Sequence, residues 1–234
     1  MCGFAGYLGH QPPSDHKVEE ALANLAPRGP DGKGIWRGRL GDHHLTLIHT
    51  RLAIVDLDPR ANQPFEDDGL VIAYNGEIYN HADLRDELTA LGDQFRTVSD
   101  TEVILKAYRR WGRACVDRFE GMWAFALADV ARGELFLSRD RFGEKPFRYR
   151  QANGGLTFGS TLGAIEALDG VPATVDHAQI RRLLVNGYKS INKARRSFFS
   201  DILDLPAAHQ AIVRGPEVVH PEPFSGLLLA HLLG

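Results

Sequence analysis

Cysteine is scarce in this sequence, and the scarcity narrows the kinds of site that the chain can form. The 234 residues contain two cysteines, Cys2 and Cys115, so at most one disulfide is possible. No spacing of cysteine and histidine resembles a zinc site, and we predict that the chain binds no metal. With so few cysteines, a reducing compartment is the simpler setting.

The chain also lacks a strong excess of charge and a long hydrophobic run. Its formal net charge is −3 at pH 7, which gives no electrostatic case for binding nucleic acid or anionic lipid. The N-terminus carries no secretory signal. The apolar stretch 224–233 is interrupted and too short to cross a bilayer. We therefore expect a cytoplasmic protein that binds neither nucleic acid nor a membrane.

What the chain does contain is typical of a packed globular domain. Apolar residues make up 44% and charged residues 24%, as in ordinary soluble proteins. Short apolar strands alternate with amphipathic helices, which predicts two β-rich stretches packed together and covered by helices. From residue 189 to 199 the sequence becomes basic and irregular. We predict a domain over 1–190 and a connecting segment over 191–234.

The position of Cys2 is the most informative feature of the sequence. If Met1 is removed, Cys2 carries both a thiol and a free α-amine, whose unperturbed pKa is roughly 7.7–8.0. A nucleophile and its base then lie on one residue. The apolar strand predicted over 4–8 would carry Cys2 into the body of the fold. The alternative is a cysteine that lies near the start of the chain by chance.

Three other positions have the chemistry of an amide-cleaving site. Asn75 and Gly76 follow an apolar strand and offer an amide and a backbone N–H to one oxyanion, although Asn-Gly is also a common tight turn. Arg51 lies in a strand-like stretch that continues over 52–55, and its guanidinium matches a carboxylate. Asp100 either supports a helix start or binds a cation. Together, Arg51 and Asp100 could hold the carboxylate and ammonium of an amino acid.

Six motifs occur in order along the chain and contain these residues. The motifs are Met1-Cys2-Gly3, Arg28-Gly29-Pro30-Asp31, Arg51-Leu52-Ala53-Ile54-Val55-Asp56, Asn75-Gly76-Glu77-Ile78-Tyr79-Asn80, Ser99-Asp100-Thr101-Glu102 and Arg139-Asp140-Arg141-Phe142-Gly143-Glu144-Lys145-Pro146. By these motifs the chain resembles the class II glutamine amidotransferase domain, an N-terminal nucleophile hydrolase, and most of all the N-terminal glutaminase half of glutamine-hydrolysing asparagine synthetases. The resemblance runs from residue 1 to roughly residue 165.

The resemblance implies a fold and a set of residue roles. The fold is α+β, a four-layer αββα sandwich of two antiparallel sheets. The motif from 139 to 146 would shape the far side of the domain without a catalytic role. The implied roles are as follows: Cys2 is the nucleophile, Asn75 and Gly76 hold the oxyanion, Arg51 holds the substrate carboxylate, Glu77 and Asp100 hold its amino group, the backbone of Leu52, Ala53, Ile54 and Val55 lines the pocket, and Arg28 and Asp31 brace the site.

The resemblance also implies a reaction and its partners. L-Glutamine would be hydrolysed to glutamate and ammonia through a Cys2 thioester, and the ammonia would pass to an ATP-dependent synthetase domain or subunit whose default acceptor is aspartate. The chain lacks the Ser-Gly-Gly-x-Asp-Ser loop of that domain, so we expect no cofactor here, and ATP and magnesium belong to the missing domain.

Three interpretations of the absence of the synthetase loop stay open. We favour a fragment of a longer synthetase. The alternatives are a free-standing amidotransferase subunit for another acceptor, and a non-catalytic domain that keeps the fold and binds a partner. Formation of a homodimer is also left open.

Overall fold

Two six-stranded antiparallel sheets form the centre of the computed structural model, which describes residues 1–54, 56–187, 197–216 and 219–224. The first sheet has the order β10-β8-β9-β1-β3-β2 and the second has the order β12-β11-β7-β6-β5-β4. The strands are β1 (Gly3–Gly9), β2 (Gly32–Leu40), β3 (His43–Arg51), β4 (Phe65–Asp67), β5 (Leu70–Ile78), β6 (Gly121–Asp129), β7 (Glu134–Arg139), β8 (Arg148–Ala152), β9 (Gly155–Gly159), β10 (Leu203–Asp204), β11 (His209–Val213) and β12 (Glu222–Pro223).

The described residues form five α-helices, and four of them cover the outer faces of the two sheets. The helices are α1 (Asp15–Leu25), α2 (His81–Ala90), α3 (Asp100–Trp111), α4 (Leu162–Asp169) and α5 (His177–Asn186). Helices α1 and α4 pack on the first sheet through a cluster that includes Leu22, Ile48 and Leu168. Helices α2 and α3 pack on the second sheet in the largest apolar cluster of the described residues.

A third apolar cluster lies between the sheets and is the reason that they pack face to face. Phe4 and Leu47 of the first sheet meet Ala73 and Ala124 of the second in this cluster. Residues two apart on a strand share a face, so the same inward faces carry Asn75 on β5 and both His49 and Arg51 on β3. The predicted αββα sandwich is confirmed.

The central strand β1 fixes the position of the predicted nucleophile. Its first residue, Gly3, pairs with Thr50 of β3, and its later residues pair with β9 on the other side. Cys2 therefore lies one residue before a strand that has a partner on each edge, and it is partly buried. The expectation that an early strand brings Cys2 into the fold is confirmed.

The predicted connecting segment contributes strands to both sheets in the part that the structure describes. Strand β10 pairs with β8 of the first sheet, and β11 pairs with β7 of the second. The boundary predicted at residue 190 falls outside the described residues, as does most of the terminal apolar stretch. Strands as short as Leu203–Asp204 leave no periodic signal in a sequence, which is why the pattern did not indicate them.

A buried arginine ties this segment to the first sheet. Arg150 on β8 is 2% exposed. Its Nε donates to Asp169 Oδ2 at 2.8 Å, and its Nη1 donates to Asp201 Oδ2 at 2.9 Å. The guanidinium thus joins the end of α4 to the segment that leads into β10.

Replacing Arg150 with alanine is expected to lower the free energy of unfolding by about 3–5 kcal/mol, because the substitution leaves a buried carboxylate without its partner. Urea denaturation followed by circular dichroism measures the change. Arg214→Ala is the matched control, since Arg214 pairs with Glu134 but its side chain is 72% exposed, and an exposed pair contributes about 1 kcal/mol or less. Equal losses in the two variants would contradict the structural role given to Arg150.

Candidate active site

One cavity brings together most of the residues predicted to form a site. On the side of the first sheet, the cavity is formed by the residues just before β1 and by the end of β3. On the side of the second sheet, it is formed by β5 and by the start of α3, which packs on that sheet. The predicted residues that line it are Cys2, Arg51, Leu52, Ile54, Asn75, Gly76, Glu77 and Asp100. Ala53 does not line the cavity, and Val55 lies outside the described residues.

The Cys2 thiol lies against the backbone that follows β3. Leu52 N–H donates to Cys2 Sγ at 3.4 Å, and Leu52 O lies 3.6 Å from the same sulfur. Arg28 Nε donates to Cys2 O at 3.0 Å, and Ala53 N–H donates to Asp31 Oδ2 at 2.9 Å. Arg28 and Asp31 therefore hold the backbone on the two sides of the thiol.

The surroundings of the thiol favour its protonated form. Burial raises the pKa of Cys2, while the Leu52 N–H, the positive N-terminus and the charge of Arg51 lower it in part. A thiol of this kind needs a nearby base before it can attack as a thiolate. The α-amine of Cys2, which is free once Met1 is absent, is a group of the kind that this thiol needs as a base.

Asn75 and Gly76 lie inside a strand and do not form a tight turn. They pair with Ala124 and Trp123 of β6, and a Cβ on Gly76 would clash with Met122 O. Asn75 is 1% exposed, and its Nδ2 has no hydrogen-bond partner among the described residues. Buried amide donors are nearly always paired, so this donor fits an oxygen that enters the cavity with a ligand.

The guanidinium of Arg51 is oriented by the loop that follows its strand. Strand β3 ends at Arg51, so the expectation of a strand over 52–55 is wrong for the described residues 52–54. Arg51 Nη1 donates to Asp58 O at 3.0 Å and to Asn62 Oδ1 at 2.7 Å, and Nη2 donates to Asp56 O. Asp56, Asp58 and Asn62 thus hold the guanidinium in place, because their oxygens accept from a cation that is 9% exposed.

Asp100 is the first residue of α3, but it does not cap the helix. Ser99 is the N-cap, and its side chain accepts from Thr101 N–H. Asp100 Oδ2 instead accepts from Tyr74 Oη at 2.8 Å and from Ile78 N–H at 3.1 Å. Burial raises the pKa of Asp100, and these two donors oppose that shift. A buried carboxylate beside the cavity suits a cationic group of a ligand.

The expectation that the motif at 139–146 lies on the far side of the domain is wrong for Lys145. Lys145 lines the cavity, and its Nζ lies 3.4 Å from Met1 Sδ. Asp140 bends this segment back toward β6, because its carboxylate accepts from the N–H groups of Trp123, Glu144 and Lys145.

Other residues of the cavity were given no role from the sequence. Four of them lie inside the quoted motifs, namely Met1, Asp56, Ser99 and Thr101, and the other four lie outside those motifs. Of these four, Tyr74 is the one that its position directly before Asn75 could have suggested. The full set without a predicted role is Met1, Asp56, Ala61, Gln63, Tyr74, Ser99, Thr101 and Met122. Within the described ranges, no group of three or more metal-binding side chains occurs, and no helix is long and apolar enough to cross a membrane.

Comparison with known proteins gives the same family for almost the whole chain. The family model described as the glutamine amidotransferase domain matches residues 1–224. Asparagine synthetase [glutamine-hydrolyzing] 3 of Bacillus subtilis is 37% identical over 216 residues, which are 89% of this chain and 34% of the relative. A putative asparagine synthetase [glutamine-hydrolyzing] 2 of Methanocaldococcus jannaschii is 37% identical over 188 residues, which are 72% of this chain and 35% of the relative.

A solved structure supports the fold independently. The glutamine phosphoribosylpyrophosphate amidotransferase from B. subtilis superposes with a TM-score of 0.69 at 18% identity, covering 95% of this chain and 49% of that one. At this identity the likeness concerns the fold alone. The chain spans about a third of the length of the curated relatives named above. From the family match, the two-sheet fold and the placement of Cys2, the chain belongs to the class II glutamine amidotransferase domain family.

Proposed function

We propose that this chain hydrolyses L-glutamine to L-glutamate and ammonia, with Cys2 as an N-terminal nucleophile after removal of Met1. The observation that carries the proposal is one cavity lined by both Cys2 and Asn75, where the buried amide donor of Asn75 has no partner among the described residues. A nucleophile and an oxyanion donor that face the same space are the minimum for amide cleavage.

Each chemical step has a residue that can perform it. The α-amine of Cys2 takes the thiol proton, and Sγ attacks the side-chain amide carbon of glutamine. Asn75 Nδ2 and the Gly76 N–H hold the oxyanion that forms. The C–N bond then breaks, and the ammonia leaves with the proton from the α-ammonium. Water, deprotonated by the same amine, attacks the thioester, which releases glutamate and returns the proton to sulfur.

The charges in the cavity support a free amino acid as the substrate. Arg51 holds the α-carboxylate, and its bonds to Asp58 and Asn62 keep the guanidinium in place. Asp100 and Glu77 hold the α-ammonium, and both line the cavity with Cys2. Opposite charges at the two ends of the α-carbon position the side-chain amide toward the thiol.

The ammonia passes to a synthetase domain or subunit, which requires ATP and magnesium and by default uses aspartate as the acceptor. Two curated relatives are named as glutamine-hydrolysing asparagine synthetases, and this chain matches about a third of each. The alternatives are a subunit that serves another acceptor and a domain that binds a partner without catalysis. We place the protein in the cytoplasm.

The test is a direct assay of glutamate and ammonia released from L-glutamine by the purified chain, with L-asparagine as the control substrate. Intact-mass measurement first establishes that Met1 has been removed. We expect equal amounts of glutamate and ammonia from L-glutamine and no turnover of L-asparagine. A chain that lacks Met1 and still releases no glutamate would favour the non-catalytic alternative.

Replacing Arg51 with alanine is expected to raise the KM for L-glutamine by roughly 10- to 150-fold, because a charge-assisted hydrogen bond contributes about 1.5–3 kcal/mol. The effect on kcat should be much smaller, since Arg51 contacts the carboxylate and not the reacting amide. Steady-state kinetics separate the two constants. Arg60→Ala is the control: Arg60 lies in the same loop, but its side chain is 68% exposed and pairs with Asp58. Arg51 has no binding role if both variants keep the wild-type KM.

A further inference from the structure

Tyr74 lies on β5 beside Asn75, and its side chain contacts the carboxylate of Asp100. It directly precedes Asn75 on β5, it is 2% exposed, and its ring belongs to the apolar cluster under α2 and α3. Its side chain therefore faces the helices while that of Asn75 faces the other sheet. No motif of the sequence assigns a role to this residue.

The backbone of Tyr74 is held by two side chains because its neighbouring strand is short. Strand β4 pairs with β5 only from Leu70 to Ile72, so Tyr74 lies beyond the part of β5 that β4 covers. Tyr74 N–H donates to Gln63 Oε1 at 2.7 Å, and His49 Nε2 lies 3.0 Å from Tyr74 O. His49 belongs to the first sheet, so this last bond crosses between the sheets and fixes the peptide that joins Tyr74 to Asn75.

The imidazole of His49 is suited to this contact because it stays neutral. It is fully buried, and burial lowers its pKa to about 4. A neutral imidazole carries one proton, and the carbonyl of Tyr74 requires that proton on Nε2. The bond is therefore a fixed donor–acceptor pair over the ordinary working range of pH.

The hydroxyl of Tyr74 holds one oxygen of the Asp100 carboxylate. Its Oη donates to Asp100 Oδ2 at 2.8 Å, the same oxygen that accepts from Ile78 N–H. Burial and the negative charge of Asp100 raise the pKa of Tyr74 well above its ordinary value, so the hydroxyl keeps its proton. Two donors on Oδ2 resist rotation of the carboxylate.

We propose that Tyr74 is a positioning residue that fixes Asp100 for the α-ammonium of the substrate while its backbone fixes Asn75. The proposal rests on the proposed glutaminase function and adds to it a residue that sets the preference for an α-amino group. Tyr74 does not touch the reacting atoms and acts only through Asp100 and Asn75.

The ionisation of Asp100 gives the proposal a pH signature. Asp100 holds an ammonium only when it is charged, and the Tyr74 hydroxyl stabilises the charged form against burial. Removing the hydroxyl raises the pKa of Asp100 further, so binding weakens most as the pH falls. The other charged and titratable groups around Asp100 are Cys2, Arg51, Asp56, Glu77, His81, Arg85, Glu102 and Lys145, and a Tyr→Phe substitution changes none of them.

The experiment measures ligand binding in a Cys2→Ala background, which prevents turnover, with and without Tyr74→Phe. Dissociation constants are determined by calorimetry between pH 5 and pH 8 for L-glutamine and for 5-amino-5-oxopentanoate, which is glutamine without its α-amino group. Tyr149→Phe is the matched control, since Tyr149 is also buried at 5% exposure but lies on β8, among the apolar residues between the sheets.

Tyr74→Phe is expected to weaken L-glutamine binding about tenfold at pH 7 and more at pH 5, and to leave the deaminated analogue unchanged. Equal weakening for both ligands would reduce Tyr74 to a structural residue and overturn the proposal, as would no weakening for either. Failure of the Cys2→Ala protein with Tyr74 intact to bind L-glutamine would overturn the glutaminase proposal itself, and the inference with it.

Discussion

Replacing Cys2 with alanine is expected to reduce the release of glutamate from L-glutamine by a factor on the order of 10⁶, because the nucleophile of a covalent mechanism has no substitute. The fold should remain, since Cys2 is only partly buried and such a truncation changes stability by about 1 kcal/mol or less. Glutamate release per mole of enzyme measures the first effect, and thermal unfolding measures the second.

Cys115→Ala is the matched control for the Cys2 substitution. Cys115 is fully buried under α3, and burial raises the pKa of its thiol, so it is an unreactive packing residue. The control should lose some stability but keep its turnover per folded molecule. Near-normal turnover in the Cys2→Ala variant would end the proposed mechanism, whereas loss of turnover in both variants would indicate a general effect on folding.

Replacing Asn75 with alanine is expected to lower kcat by roughly 10²- to 10³-fold, which is the usual effect of losing one oxyanion donor. KM for L-glutamine should change little, because the oxyanion exists only after attack by the thiol. Steady-state kinetics with L-glutamine measure both constants. The side-chain Nδ2 of Asn75 has no partner among the described residues, so its removal breaks no hydrogen bond within that part of the chain.

Asn24→Ala serves as the control, since Asn24 is exposed on α1 and its Nδ2 donates only to Glu20 O of the same helix. Its kinetics should match those of the wild type. A higher KM at unchanged kcat in the Asn75→Ala variant would mean that Asn75 contacts the bound substrate but not the transition state, and the oxyanion role would then be wrong.

The sequence predicted the layers of the fold and eight of the residues around the cavity, because these depend on local patterns and on short motifs. Cys2 precedes an apolar strand, and Ser99-Asp100 begins a helix. The conformation of Asn75 and Gly76 was harder to predict from the sequence, since the same dipeptide suits a tight turn. Pairing with Ala124 and Trp123, nearly fifty residues away, decides between the two, and local sequence does not encode such pairing.

Lys145 and Tyr74, which the sequence did not predict as site residues, have partners at the site that are distant in the sequence. Lys145 returns to the cavity because the buried Asp140 gathers the backbone around it, and a single aspartate in a loop gives no sign of this. The hydroxyl of Tyr74 finds Asp100 across a helix–sheet interface. The sequence does not distinguish a buried tyrosine that makes a polar contact from one that only packs in the core, so this contact could be identified only in the structure.

The apolar layer between the sheets has a consequence for the way this chain can vary. Phe4, two residues after Cys2, and Ala73, two residues before Asn75, lie in the same inter-sheet cluster. The proposed nucleophile and the proposed oxyanion donor lie with different sheets, so the distance between them is set by the thickness of that layer. A methylene gained or lost there is felt across close-packed neighbours. Under the proposed mechanism, the hydrophobic core is therefore a determinant of catalytic rate, and its side chains are subject to selection for spacing as well as for stability.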